Sequence, residues 1–342
     1  MTREHHDTTL DLDRLTHYLE QHVAGFRGPL RATKFAGGQS NPTYLLDAQS
    51  GRYVLRRQPP GQLLKSAHAV DREFRVLSAL ADTPVPVARA FHLCEDRDVI
   101  GSLFYLMSYE EGRIFWNPAL PDIDRDARRG YYAAIVQTLA ALHDVDTQAA
   151  DLADYGRAGN YFERQIGVWT KQYRAAETER IAPMEALIDW LPAHCPTDTL
   201  RPSLVHGDFR IDNTILDVHD AGIIRAVVDW ELSTLGDPIS DAALMCAYRD
   251  PAMDLILNMR SAWTSPMIPA ADQLAHRYST MSGRPLAHWP FHMSLAYFKI
   301  AIIAAGIDFR RRMAGGEDGS DRVGEVVAPL IALGLKTINA PD

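Results

Sequence analysis

Two short polar stretches, each set in an apolar, β-branched run, constrain this chain more than any other feature. The first is LVHGDFRIDN at 204–213; the second is VVDWE at 227–231. Asp208 and Asn213 stand five residues apart in H-G-D-x-x-x-x-N, and Asp229 follows the run that begins the second stretch. Each polar group is therefore expected in a loop at the end of a strand. Together the stretches supply two carboxylates and one amide, and the remaining chain must supply whatever else a site needs.

The composition permits a folded enzyme and narrows its partners. The 342 residues suffice for one large domain or two modest ones, and 46% hydrophobic with 23% charged residues is an ordinary globular balance. Thirty-five Lys and Arg against 44 Asp and Glu give a net charge of −9, so no broad attraction to nucleic acid or anionic membrane is expected. Any anionic ligand must be met locally. Cys94, Cys195 and Cys246 are far apart in sequence and form no C-x-x-C pair, which suggests neither a disulfide framework nor a zinc site. The polar start, MTREHHDTTLDLDRL, lacks the apolar stretch of a signal peptide, and a cytoplasmic location is expected. The most apolar segment, 293–307, contains Lys299 and is shorter than the roughly 20 residues that cross a bilayer. It reads as a buried helix.

In chain order, Leu12, Leu15, Leu19 and Val23 repeat at helical spacing behind Asp11, a suitable N-cap, and Gly25 closes the segment. β-like runs follow at 31–35, 43–47 and 53–57. The first connection, GGQSN at 37–41, pairs glycines that let backbone amides approach phosphate oxygens, although the same residues would also make a plain hairpin turn. Ser66 can cap a helix with Val70, Phe74 and Leu77 on its core face and Glu73 beside them. Strands are expected at 88–94 and 102–109, separated by the surface turn EDRD. The order is β-β-β-α-β-β. After Tyr109 the run Glu110-Glu111-Gly112-Arg113 breaks the strand pattern, and the chain then becomes mainly helical. Two domains are expected, 1–111 and 112–342. The second opens with a helix over 130–143. The aromatics of 161–174 either pack in the core or wall a substrate pocket, and 184–191 is a further short helix. Asp237 can cap a helix that starts at Pro238, and three more helical patterns follow, interrupted by AGGEDGSD at 314–321.

The residue types point to phosphoryl transfer. That chemistry asks little covalent work of a protein, but it needs metal ligands, a group to orient the nucleophile and a cation. Asp208 can accept a hydrogen bond from an acceptor hydroxyl and take its proton late. Asn213 and Asp229 offer hard oxygen ligands for magnesium, with Asp212 a weaker candidate. The spacing departs from the protein-kinase H-R-D-x-x-x-x-N only by glycine for arginine. His206 is read as a brace for the loop, and Trp230 with Glu231 as packing behind Asp229. The expected cation is a third-strand lysine, yet YVLRR offers Arg56 or Arg57. Strand alternation puts them on opposite faces without choosing between them. Arg56 is favoured, with Glu73 as its partner.

GGQSN, YVLRRQPPG, SAHAVDREFRVLSAL, LVHGDFRIDN, VVDWELSTLGDP and the helical tail resemble, in that order and over nearly the whole chain, the aminoglycoside phosphotransferase and choline kinase superfamily. Within it the chain is most similar to bacterial phosphotransferases related to the kinase-like domain fused to acyl-CoA dehydrogenases. The resemblance implies an α+β, protein-kinase-like two-lobed fold, with a small antiparallel β lobe carrying one main helix and a larger helical lobe. It implies ATP, or GTP, with Mg2+, bound between the lobes. Gly37, Gly38, Ser40, Asn41, Arg56 and Glu73 would serve the nucleotide, with Tyr109 to Glu111 near the base. The acceptor it implies is a small-molecule alcohol: a hydroxyacyl-CoA, an aminoglycoside or a choline-type compound. A nucleotide-binding scaffold without turnover is the alternative that Arg in place of Lys suggests. Arg310-Arg311-Arg312 could meet a CoA phosphate or end a solvated helix.

Overall fold

The computed structural model describes residues 10–35, 41–59, 69–156, 160–177, 180–197, 201–257, 259, 262–313 and 323–339. The chain divides into two compact units. One comprises Met1–Arg113, Thr214–Asp217 and Ile224–Leu232; the other comprises Ile114–Asn213, Val218–Ile223 and Ser233–Asp342. The division differs from 1–111 and 112–342 in two respects: the first unit runs to Arg113, and two pieces from the middle of the chain cluster with it. Those pieces are strands β7 (Thr214–Leu216) and β8 (Ile224–Val227), which pair antiparallel, and Arg113 bridges to Leu216. Backbone pairing, not chain order, assigns them.

The N-terminal unit is built on a five-stranded antiparallel sheet. Its strands are β1 (Leu30–Lys34), β2 (Thr43–Ala48), β3 (Gly51–Arg57), β4 (Ala90–Cys94) and β5 (Phe104–Ser108), in the order β1-β2-β3-β5-β4. Alternation sends Tyr44 and Leu46 of β2 into the same core as Leu55, Phe104 and Leu106. Helix α1 (Leu12–His22) begins at Asp11, whose side chain accepts from Arg14 N at 3.0 Å. It delivers Leu15 and Leu19 to that core, fully buried, each worth about 2 kcal/mol of transfer free energy. Helix α2 (Val70–Leu80) buries Val70, Glu73, Val76, Leu77 and Leu80. Its expected cap, Ser66, lies outside the described residues. The EDRD turn contains a single helical turn, α3 (Arg97–Ile100), because Asp96 caps Asp98 N at 2.8 Å and Gly101 ends it at φ +82°.

The second unit is mainly helical. Helix α4 (Arg125–Asp144) starts five residues before the expected 130, because Asp124 accepts from the Asp126 and Ala127 amides. Asn160 caps α5 (Tyr161–Ala176), and α6 is Ala182–Ala193. Three of the four aromatics of α5, Phe162, Trp169 and Tyr173, are buried in the core, and Tyr161 is half-buried. A cavity of about 390 Å³ beside α5 is lined instead by Glu163, Ile166, Gly167, Thr170, Lys171, Ile188 and Pro192. Strand β6 (Ser203–Val205) pairs antiparallel with β9 (Thr234–Gly236). Asp237 then caps α7 (Pro238–Ala247), with Pro238 in its first turn. Short α8 (Ala252–Ile256), α9 (Ala271–Ser282), α10 (Trp289–Met313) and α11 (Val327–Ile338) complete the unit, and residues 314–321 lie outside the described set.

Helix α10 corrects one expectation. At 25 residues it is long and apolar enough to span a bilayer, so shortness is no reason to exclude that. Its burial is the better reason to read it as a core helix. Phe298, Ala301 and Ala304 are fully covered, and α10 packs on α5, α7 and α11. Among the described residues it is the one helix with these properties. Cys94, Cys195 and Cys246 are free, with Cys94 and Cys246 buried.

Candidate functional site

In the N-terminal unit the expected pair of Arg56 and Glu73 is formed. Strand β3 directs the Arg56 side chain to α2, where Nε lies 2.8 Å from Glu73 Oε2. Its Nη2 lies 2.8 Å from Asp229 Oδ1. Arg57 faces the other way, as alternation requires, and its Nε donates to Ser102 Oγ at 2.9 Å. Glu73 is 2% exposed and also accepts from Asn41 Nδ2 at 2.8 Å and Tyr105 OH at 3.1 Å. Burial pushes its carboxyl above the ordinary carboxylate range, with Arg56 pulling back and Asp229 adding to the rise. Burial alone would lower the Arg56 guanidinium, but Glu73, Tyr105 and Asp229 outweigh it and hold the cation charged. Asp229 has φ +67°, a left-handed conformation unusual for a non-glycine residue. Behind it Trp230 is buried, and its Nε1 donates to Val227 O at 3.0 Å.

Other residues read as nucleotide contacts stand apart from this cluster. The Arg52 guanidinium lies 4.3 Å over the Tyr109 ring and 3.8 Å from Glu111, whose side chain is largely solvent-exposed. Gly37, Gly38 and Ser40 lie outside the described residues.

In the helical unit the loop after β6 is held from all sides. Gly207 adopts φ +82°, where a side chain would be strained, which accounts for glycine within H-G-D. The amides of His206 and Gly207 donate to Asp241 Oδ2 and Oδ1 at 2.6 and 2.8 Å. Asp241, on α7, also lies 3.5 Å from His143 Nε2, and His143 Nδ1 is 2.7 Å from Tyr278 OH. The Gly207 carbonyl accepts from Lys299 Nζ of α10. His206 is buried and its Nδ1 accepts from the Asp208 amide at 3.2 Å, which suits a brace.

Asp208 is thereby presented with both carboxylate oxygens bound. Tyr248 OH donates to Oδ1, and Arg210 Nε lies 3.5 Å from the same oxygen. Asn213 Nδ2 donates to Oδ2 at 3.2 Å and to the Asp208 carbonyl at 2.8 Å. Burial would raise the Asp208 carboxyl, but Arg210, Lys299, the Tyr248 hydrogen bond and His206 together hold it below the ordinary range. It is an anion at neutral pH. Asp212 is buried and lies 3.1 Å from Arg210 Nη2, so the weaker metal candidate is engaged by a cation.

Among the described residues no group of three His, Cys, Asp or Glu side chains gathers as a metal site. Each unit separately offers an oxygen donor of the kind a hard cation takes. Asn213 turns its amide nitrogen to Asp208, which leaves the carbonyl-type Oδ1 without a protein partner among the described residues. Asp229 engages Arg56 through Oδ1 and is 36% exposed.

Sequence reasoning did not reach Lys299, Asp241, Tyr248 or Arg210 as parts of this site. Two left a signal. Lys299 is a single cation within the most apolar segment, and Asp241 is a carboxylate one helical turn beyond the capping Asp237.

Residues 31–276 match the phosphotransferase enzyme family. The chain belongs to this family. Mouse acyl-CoA dehydrogenase family member 10 is 42% identical over 306 residues, covering 87% of this chain and 28% of that protein. The chain spans less than half the length of the curated relatives it matches. A crystal structure from Ralstonia eutropha, assigned as an aminoglycoside phosphotransferase, superposes with a TM-score of 0.81 at 39% identity, covering 96% of this chain and 98% of that one. A thermostable aminoglycoside phosphotransferase mutant in ternary complex with AMP-PNP and hygromycin B has a TM-score of 0.60 at 14% identity, covering 94% and 98%. That likeness concerns the fold. The phosphotransferase relationship and the kinase-like α+β architecture are thus established.

Proposed function

We propose that this protein transfers the γ-phosphoryl group of ATP to a hydroxyl of a small molecule, and that the acceptor is a hydroxyacyl-CoA-type thioester. The observation that carries the reading is Asp208, a half-buried carboxylate kept ionised by Arg210, Lys299 and Tyr248 and held at Oδ2 by Asn213. An anion so held orients an acceptor O–H and takes its proton as the new bond to phosphorus forms. Arg56, held by Glu73, is the cation assigned to the phosphate oxygens; Arg presents a planar fork where lysine offers a point charge. The pair is formed, which weighs against a scaffold without turnover. Asn213 Oδ1 and Asp229 are assigned to Mg2+, which when bound neutralises charge on the phosphates. Residues 1–111 would act as the nucleotide-binding lobe, with GGQSN and Tyr109 to Glu111 at phosphate and base, and 112–342 would carry the acceptor pocket. Solved structures of the same fold hold AMP-PNP or ADP, which supports a nucleotide. The acyl-CoA dehydrogenase names of the relatives support the acyl thioester.

One observation favours a second acceptor class: the Ralstonia relative at 39% identity is assigned as an aminoglycoside phosphotransferase. A screen of hydroxyacyl-CoAs, aminoglycosides, choline and sugars for ADP release, with MgATP and MgGTP in parallel, separates the classes. Turnover on a hydroxyacyl-CoA above all others is expected. Turnover confined to aminoglycosides or choline would replace the thioester, and nucleotide binding without transfer to any alcohol would leave the scaffold.

A further inference from the structure

The Tyr248 hydroxyl donates to Asp208 Oδ1, the same kind of O–H donation that an acceptor alcohol would make. Either the acceptor displaces this phenol, or the two share the carboxylate. The packing decides. Tyr248 is 3% exposed and caps the end of α7, with its amide bonded to Leu244 O at 3.2 Å. Its ring centroid lies 5.8 Å from that of Trp263 and 5.4 Å from the Arg210 guanidinium. Swinging the phenol away would unpack that ring and leave a buried hydroxyl without a partner, which is costly. A carboxylate offers about four lone-pair directions, so Oδ1 can hold Tyr248 and still accept a second O–H. Burial and the neighbouring Asp208 raise the Tyr248 phenol well above its ordinary range, so it remains a donor.

We propose that Tyr248 is a positioning residue for phosphoryl transfer: its hydroxyl stays on Asp208 Oδ1 throughout turnover and fixes the lone pair that the acceptor uses. The inference rests on the assignment of Asp208 made above. Loss of the hydroxyl leaves Oδ2 held by Asn213 but Oδ1 faced only by Arg210 at 3.5 Å, so the lone pair offered to the acceptor is less well fixed and turnover falls while nucleotide affinity does not.

Tyr248→Phe keeps the ring and removes only the hydroxyl. Steady-state ADP release, MgATP calorimetry and thermal melting are compared with the unaltered protein. A fall in kcat of about tenfold or more is expected, with unchanged nucleotide Kd. A kcat within twofold of the unaltered protein, or a rise in acceptor-independent ATP hydrolysis that marks a displaced plug, overturns the proposal. Replacing Tyr248 with 3-fluorotyrosine, which retains both ring and hydroxyl, should keep turnover near the unaltered level. An equal loss in both variants assigns the effect to ring packing and also overturns it. Asp208→Ala runs beside them. If that variant still turns over, the phosphotransfer assignment fails; if it is dead while Tyr248→Phe is fully active, only the role of Tyr248 fails.

Discussion

The two polar clusters are electrostatic opposites. In the N-terminal unit one cation, Arg56, sits between two carboxylates, Glu73 and Asp229. In the helical unit one carboxylate, Asp208, sits among donors and cations: Tyr248, Asn213, Arg210 and Lys299. The contrast shows in the titration behaviour, since Glu73 is raised and Asp208 lowered. Glu73 is fully buried and Asp208 half-buried, and their neighbourhoods differ as well. Glu73 has a single cation shared with a second carboxylate, too little to outweigh its burial, whereas Asp208 has two cations nearby, one of them shared with Asp212, and hydrogen bonds from Tyr248 and Asn213. Burial sets the cost of a charge, and the partners decide whether it is met.

That contrast can be broken at its strongest point first. Glu73→Ala leaves Arg56 with Asp229 as its one ion-paired carboxylate and strips Asn41 and Tyr105 of a partner, so a loss of about 3 kcal/mol in urea unfolding is expected. A loss below about 1 kcal/mol would mean the pair is not the structural centre of its cluster. Arg56→Lys keeps the charge but cannot span both carboxylates; a loss of about 1–2 kcal/mol and weaker MgATP binding by calorimetry are expected. The pH response sharpens the opposition. Asp208 has a lowered folded pKa, so its contribution is present above the unfolded carboxylate value and is lost as pH falls through the folded one. Glu73 has a raised folded pKa, so its contribution is present below the unfolded value and fades as pH rises through the folded one. Asp208→Asn should therefore flatten the acid limb of a stability profile, and Glu73→Gln should remove a loss on the rising side. The smallest effect belongs to a pair outside both clusters. Glu111→Gln breaks only the exposed contact with Arg52, and a change of less than about 0.5 kcal/mol is expected in the same urea assay.

The parts legible in sequence are those fixed by local rules. Alternation locates the five strands of the sheet, side-chain caps start α1 and α7, and H-G-D-x-x-x-x-N puts Asp208 within reach of Asn213. Alternation could separate Arg56 from Arg57 but not choose between them, because the choice depends on Ser102 and Glu73, which lie on other elements. The shell around Asp208 was hidden for the same reason at longer range. Asp241 reaches His206 across 35 residues, Tyr248 reaches Asp208 across 40, and Lys299 reaches Gly207 across 92. No periodicity records such contacts. The clustering of 214–217 and 224–232 with the N-terminal unit likewise goes with long-range backbone contacts, Arg113 to Leu216 and the Val227 amide to Pro86 O, that no local pattern displays.

The central claim is that Asp208 is the anion that orients the acceptor. Its most direct test is Asp208→Ala, assayed for ADP release with MgATP and the best acceptor, with nucleotide binding followed by calorimetry. Turnover should fall by a factor of about a hundred or more while the nucleotide Kd stays within twofold. Undiminished turnover would contradict the assignment.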